Sequence, residues 1–177
     1  MAIRKIIRMG HPSLRIPADN VSDDFIGSQE MARLLTDMED TLRDYGGVGL
    51  AAPQIDEPLH MAIIEVPGGP SRYGEIEAIP LTAFFNPTIE ILNPKTAGYW
   101  EGCLSVPGLR GFVERPQHLV VRYTDLNNQP AELELKGFLA TIVQHEFDHL
   151  DGRLYIDHIT DTTKLVFEEE WLKFSDQ

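Results

Sequence analysis

Residues 138–150 read FLATIVQHEFDHL, an apolar stretch that contains an H-E-x-x-H motif. Gly137 precedes the stretch and Asp151-Gly152 follows it, so the sequence predicts a helix over this range. Too many of its residues are apolar for a helix on the protein surface. We therefore expect the helix at the centre of the core, with its polar motif among apolar neighbours.

The H-E-x-x-H motif places three polar side chains on the predicted helix. His145 and His149 are four residues apart and project to nearly the same side, where both can reach one cation. Glu146 lies beside them, off the metal but close to a water molecule. A pair of ordinary surface histidines is the alternative, but the neighbours are typical of a core. Burying two imidazoles and a carboxylate without partners would cost several kcal/mol, so the motif predicts a metal site.

The predicted site needs a third protein ligand, because a catalytic metal usually has three and keeps one position for water. His158, Asp151 and Asp157 are formal candidates, since an ordinary zincin endopeptidase finds its third ligand downstream. Cys103 is the better candidate, because it lies in EGCLS (101–105), where a glycine allows close backbone approach and a cation would ionise the thiol. A lone cysteine is more often a small buried apolar residue, but beside this motif we expect a ligand.

A third segment, GVGLAAPQ at residues 47–54, follows the end of a predicted helix. Its glycines can let a substrate backbone approach closely, and Gln54 can point a neutral amide donor at developing negative charge. Glycine-rich turns are common, and this one lacks the lysine and the spacing of a phosphate-binding loop. Taken alone, the segment therefore favours a structural turn.

The composition indicates one acidic domain. The chain of 177 residues is 42% hydrophobic, enough for a single core, so we expect one domain over residues 1–177. Fifteen basic against 28 acidic residues give a formal charge of -13, which repels phosphate backbones and argues against nucleic-acid binding. No apolar run approaches the roughly 20 residues that cross a bilayer, so no membrane partner is expected. A single cysteine fits a reducing compartment, and the cytoplasm is the simplest location.

Hydrophobic periodicity predicts a mixture of helices and strands without a regular βαβ alternation, which favours an α+β fold. Helices are expected over residues 28–45, 138–150 and 161–177. Strands or extended segments are expected at the start of the chain around Ile6-Ile7 and over residues 60–66, 83–92, 118–125 and 131–136. Residues 67–74 are expected to form an irregular loop.

The three segments GVGLAAPQ, EGCLS and QHEFDHL, in this order, resemble the peptide deformylase family. The resemblance covers nearly the whole chain, from Ile3 to about Ile159, and includes Phe85-Asn86-Pro87. It implies a single α+β domain with mostly antiparallel sheets around a central helix that carries the H-E-x-x-H motif. It also implies a metal-dependent hydrolase that removes the N-formyl group from the initiator methionine of nascent polypeptides and releases formate.

The resemblance assigns chemical roles at matching positions. It implies that Cys103, His145 and His149 bind the metal and that Glu146 is the general acid and base. Gln54 and the backbone N–H of Leu104 would stabilise the oxyanion. The implied metal is Fe²⁺ in the cell, with Zn²⁺ or Ni²⁺ possible in purified protein.

The same resemblance implies a peptide-binding surface. Gly49 and the backbone around it would lie against the substrate peptide, with Arg110 near its carbonyl groups. The pocket for the methionine side chain would draw on Val48, Phe138, Ile142 and the ring of His145.

The C-terminal tail departs from the family pattern. Many relatives carry a longer basic helix that is thought to contact the ribosome, whereas residues 161–177 hold five acids and two lysines here. The resemblance leaves a transient contact with the ribosome open, but the acidic tail argues against docking on ribosomal RNA. Two other functions remain open from the residues: a zincin-type endopeptidase, and a catalytically lapsed relative that only binds metal.

Overall fold

The computed structural model of the protein describes residues 2–71 and 74–174. Short 3-10 helices at Pro12–Arg15, Ala52–Ile55, Tyr155–His158 and Thr162–Lys164 connect the larger elements. The helices and strands are, in chain order, α1 (Asp23–Ile26), α2 (Gln29–Tyr45), β1 (Gly49–Ala51), β2 (Met61–Val66), β3 (Gly69–Ser71), β4 (Gly74–Ile76), β5 (Ile79–Cys103), β6 (Val106–Thr124), β7 (Pro130–Lys136), α3 (Phe138–Leu150), β8 (Leu165–Phe167) and α4 (Glu168–Phe174).

One antiparallel sheet forms the framework of the fold. Its strand order is β1-β2-β5-β6-β7, and β8 pairs with β6 outside this path. Strands β3 and β4 form a separate two-stranded sheet. Every strand pair is antiparallel, so the expected α+β fold with mostly antiparallel sheets is confirmed.

The long hairpin of β5 and β6 is larger than the sequence predicts. Its 25- and 19-residue strands are paired from Phe85↔Thr124 to Cys103↔Val106, and the turn lies at Leu104-Ser105. The sequence predicts only the shorter strands 83–92 and 118–125, so the expected bounds are wrong. Pro87 and Pro94 lie where the register shifts, and such bulges let a strand bend and continue past a proline. The bent hairpin thereby carries Cys103 to its tip.

Helix α3 packs in the core against the sheet. Its Val143 and Leu150 are fully or almost fully buried, in a cluster with residues of β1, β2, β5, β6 and β7. The ring of Phe147 contacts Phe84 edge-on at 5.7 Å between centroids, and Phe84 lies 4.6 Å from Tyr123. The prediction of a buried central helix over residues 138–150 is confirmed.

Helix α2 covers the face of β1 and β2 that is opposite to α3, since alternate residues of these strands belong to the two apolar clusters. Ser28 caps its start, since Ser28 Oγ accepts a hydrogen bond from the Met31 backbone N–H at 3.0 Å. Gly46 ends it in the left-handed conformation, with φ of 71°. The buried stripe of this helix joins a second apolar cluster with Leu50, Met61 and Phe85, as its periodicity predicts.

Three local predictions are wrong. The segment around Ile6-Ile7 is not a strand: Ile7 N–H donates to the Gln54 carbonyl at 2.9 Å and Met9 N–H to the Ser105 carbonyl at 2.8 Å, without forming a ladder. The expected loop at 67–74 contains β3 and the start of β4, although residues 72 and 73 lie outside the described part of the chain.

The third correction concerns the C-terminal tail. The expected helix over residues 161–177 begins only at Glu168, because Thr162–Lys164 form a 3-10 turn and β8 adds to the edge of β6. Residues 175–177 lie outside the described range. None of the described helices combines the length and the apolar character needed to cross a membrane.

Phe84→Ala is expected to lower the free energy of unfolding by about 3–5 kcal/mol, because it removes a buried ring and leaves a cavity between α3 and the sheet. Chemical denaturation measures this loss. Ile91→Ala in the same strand is the control, since Ile91 is 42% exposed and should cost less than about 1 kcal/mol. An equally small loss at Phe84 would contradict its place in the core.

Candidate active site

Three side chains with metal-ligating atoms meet where α3 passes the tip of the long hairpin. One ligand atom from each of Cys103, His145 and His149 lies within 4.8 Å of the other two. Cys103 Sγ is 3.3 Å from His149 Nε2. The helical spacing of the histidines and the hairpin turn together create this cluster, so the structure brings together the three ligands expected from the sequence.

The other candidate ligands lie elsewhere. His158 Nε2 contacts Asp148 Oδ2 at 2.9 Å, and Asp157 binds Arg15. Asp151 is exposed at the end of α3. None of them belongs to a group of three metal-ligating residues within the part of the chain that the structure describes. The residue that joins the two histidines is therefore Cys103, which lies upstream of the motif, rather than one of the downstream candidates.

The Cys103 thiol has the electrostatic environment of a metal ligand. Burial raises its pKa, but the charge of His149 and hydrogen bonds with both histidines outweigh burial and hold the pKa well below its usual value. The thiolate is the form that binds a metal, and a buried thiolate between two imidazoles has its charge compensated. This donor set fits a single divalent cation with tetrahedral preference.

A buried ionic network orients His145. Its Nδ1 lies 2.7 Å from Glu101 Oε2, and since the carboxylate can only accept, the imidazole N–H donates. Arg115 donates from Nε to Glu101 Oε1 and from Nη1 to Asp148 Oδ2, both at 2.7 Å. Burial raises the pKa of Glu101, but the hydrogen bonds from His145 and Arg115 outweigh it and the pKa is lowered. Holding Nδ1 in this way leaves His145 Nε2 for the metal.

Sequence reasoning assigned no role to Glu101 or Arg115. A signal for Glu101 was available, because residues two apart on a strand point to the same face and Glu101 precedes Cys103 by two. Arg115 lies in the partner strand of the hairpin, and no local pattern marks it. Its side chain is only 5% exposed.

Glu146 lies deep in the site with a free carboxylate oxygen. Burial raises its pKa, against the charges of His145 and His149, which lower it. Its Oε2 is buried and has no hydrogen-bond partner among the described residues. Gly49 makes room for this carboxylate, because a Cβ at that position would lie 2.5 Å from Glu146 Cδ. A buried carboxylate with a raised pKa and an open oxygen is suited to accept and return a proton.

Gln54 presents its amide donor to the same place. Its Oε1 accepts a hydrogen bond from the Ala51 backbone N–H at 2.9 Å, which fixes which end of the amide faces the site. Its Nε2 then lies 3.6 Å from Cys103 Sγ and 3.3 Å from Ser105 Oγ. Ser105 was not predicted, and it completes the orientation of this amide.

A cavity of about 420 Å³ opens beside these residues. Of the expected substrate residues, Val48, Gly49 and Arg110 line it, as do Gln54, Leu104, His145 and Glu146. Phe138 and Ile142 are not in this lining. Ile142 is buried in the core, and Phe138 contacts Tyr99 beside a separate cavity of about 570 Å³ at the start of α3. The larger cavity contains none of the candidate ligands.

A thiol and two imidazoles around one point, beside a buried glutamate and an open cavity, define the class of mononuclear metal hydrolases. The sequence model of the family described as "Polypeptide deformylase" matches residues 3–165. Peptide deformylase 2 of Pseudomonas syringae pv. tomato is 46% identical over 165 residues, 93% of this chain and 92% of that protein. The chain belongs to the polypeptide deformylase family.

Solved structures agree with this assignment. A Met-Ala-Ser-bound class I type b peptide deformylase from Acinetobacter baumannii matches with a TM-score of 0.83 at 33% identity, over 89% of this chain and 99% of that chain. A Synechococcus elongatus peptide deformylase in complex with actinonin has a TM-score of 0.81 at 31% identity, and the match covers 99% of this chain and 87% of that chain. The protein is accordingly a hydrolase that acts on N-formyl-methionyl peptides.

Glu101→Gln is expected to weaken metal affinity by about 10- to 100-fold, because a neutral amide orients His145 less firmly. Competition with a chromophoric chelator measures the affinity. Glu90→Gln is the matched control, since Glu90 lies in the same strand but pairs with Arg122 at the surface. Unchanged metal affinity in Glu101→Gln would contradict the orienting role of the network.

Gly49→Ala is expected to lower kcat by about 100-fold with the metal retained, because the new Cβ displaces the Glu146 carboxylate and small displacements of catalytic groups are costly. Formate release and metal content are measured together. Gly27→Ala is the control, since a Cβ there meets nothing within 4 Å. Full activity in Gly49→Ala would show that Glu146 tolerates the displacement.

Proposed function

We propose that Cys103, His145 and His149 hold one divalent metal ion and that Glu146 serves as general acid and base in removing the formyl group from N-formyl-methionyl peptides. The observation that carries this proposal is the position of the Glu146 carboxylate, buried and open to the cavity beside the three candidate ligands. Family membership supplies the substrate class.

The bound cation would polarise the formyl oxygen and make a water molecule acidic at neutral pH. Glu146 accepts the proton of the attacking water, since its raised pKa brings it closer to neutrality than an exposed carboxylate. It then returns the proton to the departing amine. Water and the formyl amide are thereby converted into formate and a free methionine amine.

The negative charge that develops on the formyl oxygen needs donors that are already in place. Gln54 Nε2 is oriented toward Cys103 by the hydrogen bond that Ala51 donates to its carbonyl oxygen. The backbone N–H of Leu104 belongs to the hairpin turn directly after the thiol ligand. We assign both as oxyanion donors, because fixed donors stabilise developing charge without rearrangement.

The substrate peptide is proposed to lie along Gly49 with its methionine side chain against Val48 and the ring of His145. All three residues line the cavity, whereas Phe138 and Ile142, which the family pattern would add, lie outside its present lining. Arg110 is placed at the same cavity and would bind peptide carbonyl groups. Met-Ala-Ser bound to the Acinetobacter baumannii relative supports a site that takes at least a tripeptide.

Fe²⁺ is the metal that we propose for the cell, with Zn²⁺ or Ni²⁺ in purified protein. One thiolate and two imidazoles accept all three ions, and the general affinity order does not favour iron. Family resemblance is thus the ground for this assignment. A free thiol ligand requires a reducing compartment, which supports a cytoplasmic location.

The nascent chain is the proposed partner, reached without docking of α4 on ribosomal RNA. Glu168, Glu169 and Glu170 open this helix, and a single lysine, Lys173, lies in its last turn. Such a surface repels phosphate groups. The proposed encounter with nascent peptides therefore depends on the cavity rather than on a basic tail.

Glu146→Ala is expected to lower formate release from formyl-Met-Ala-Ser by about 10² to 10⁴-fold with the metal retained, because the general acid and base is lost. The protein is purified without oxygen, and formate and metal content are measured on the same samples. Glu169→Ala is the control for loss of a carboxylate. Metal-loaded wild type that releases no formate would indicate a lapsed relative, and cleavage of internal peptide bonds would indicate an endopeptidase.

A further inference from the structure

Arg110 is fixed by a residue of the C-terminal segment, residues 165–174. Glu168 Oε1 accepts hydrogen bonds from both Arg110 Nε, at 2.8 Å, and Arg110 Nη2. Both residues line the cavity beside the metal ligands, with side chains that are 32% and 35% exposed. The carboxylate therefore contacts the guanidinium on its Nε side at the mouth of the cavity.

Strand pairing explains why Glu168 lies there. Strand β8 pairs with β6 so that Val166 is opposite Arg110 and Phe167 is opposite Leu109. Glu168 follows directly and begins α4. Trp171, almost one turn later, packs 5.9 Å from Trp100 and has its ring 5.9 Å from Arg110 Cζ. Backbone pairing and aromatic packing thus hold the C-terminal segment against the wall of the cavity.

Gly102 borders the guanidinium on the strand that carries the thiol ligand. A Cβ at Gly102 would lie 2.5 Å from Arg110 Nη1 and 2.7 Å from Arg110 Cζ. The guanidinium therefore lies against the backbone one residue before Cys103. Within the described residues Nη1 donates no hydrogen bond, so it keeps donors for another acceptor in the cavity.

We propose that Glu168 is a positioning residue that holds Arg110 for peptide carbonyl groups beyond the formyl-methionine. This inference rests on the proposed function. Glu168 occupies the Nε and Nη2 donors and compensates the charge of the guanidinium, which leaves Nη1 to bind a neutral oxygen. The C-terminal segment is thus part of the peptide-binding wall. Formyl-methionyl peptides of at least two residues are long enough to reach Arg110.

A double-mutant cycle on the metal-loaded full chain tests this role with formyl-Met-Ala-Ser. Glu168→Ala is expected to raise KM about fivefold with kcat nearly unchanged, the size of a charge-assisted hydrogen bond at a part-exposed site. Arg110→Ala should raise KM by at least as much. The double variant should match Arg110→Ala, because Glu168 acts through Arg110.

Three further measurements separate positioning from a purely structural role. Glu169→Ala removes the neighbouring carboxylate of α4 and should leave KM unchanged. Glu168→Gln keeps an oxygen acceptor for the guanidinium and should give a KM between wild type and Glu168→Ala. Formyl-methionine amide, which lacks downstream peptide carbonyls, should show almost no change in KM, and melting temperatures report whether the segment stays docked.

Unchanged KM in Glu168→Ala, additive effects in the double variant, or an equal rise in Glu169→Ala would each overturn the inference. A joint loss of kcat and melting temperature in Glu168→Ala would also overturn it, since it would assign Glu168 to folding alone. These results presuppose an active wild type. Failure of the wild type to release formate instead contradicts the proposed function.

Discussion

The burial of ionisable groups on α3 is the constraint on which the rest of the structure depends. Two imidazoles and a carboxylate enter the core on one helix, and each would be costly there without a partner. Arg115 connects Glu101 and Asp148, and Glu101 in turn accepts the hydrogen bond of His145. The metal ion that we propose between Cys103, His145 and His149 would compensate the remaining negative charge. The apolar packing of α3 is therefore compatible with its polar motif only because the hairpin supplies counter-charges at the same depth.

The turn of the long hairpin concentrates several functions in three consecutive residues. Cys103 provides the thiol, Leu104 a backbone N–H, and Ser105 a contact for the Gln54 amide. The start of the chain joins the same place, because Met9 donates to the Ser105 carbonyl and Ile7 to the Gln54 carbonyl. Groups fixed by backbone hydrogen bonds keep their positions during a reaction, which is what a preorganised site requires.

The sequence predicted what local patterns encode. The apolar run around His145 and His149 predicted the central helix, and their helical spacing predicted that the two imidazoles project to one side. The EGCLS segment made Cys103 the preferred third candidate, and the structure places its thiol beside the two histidines. The sequence did not predict the length of the hairpin, because the expected strand ends at residue 92, before Pro94, and only the pairing with β6 shows that the strand continues past this proline at an irregularity in the register. The partners of His145 and Arg110 were missed for a related reason: they lie 44 and 58 residues away in the chain. Contacts between residues so far apart in the chain depend on how the strands and helices are arranged, and local periodicity does not predict that arrangement.

The position of the C-terminal segment explains part of its acidic character. Glu168 binds Arg110 and Glu170 binds Lys173, so two of the three acids that open α4 are already paired within the protein. Trp171 packs on Trp100 and thereby holds the same helix against the long hairpin. A helix that is docked in this way cannot also extend from the domain as a basic arm for RNA. Its charge and its contacts with Arg110 and Trp100 both favour a role at the substrate, in agreement with the proposal that this segment belongs to the peptide-binding wall.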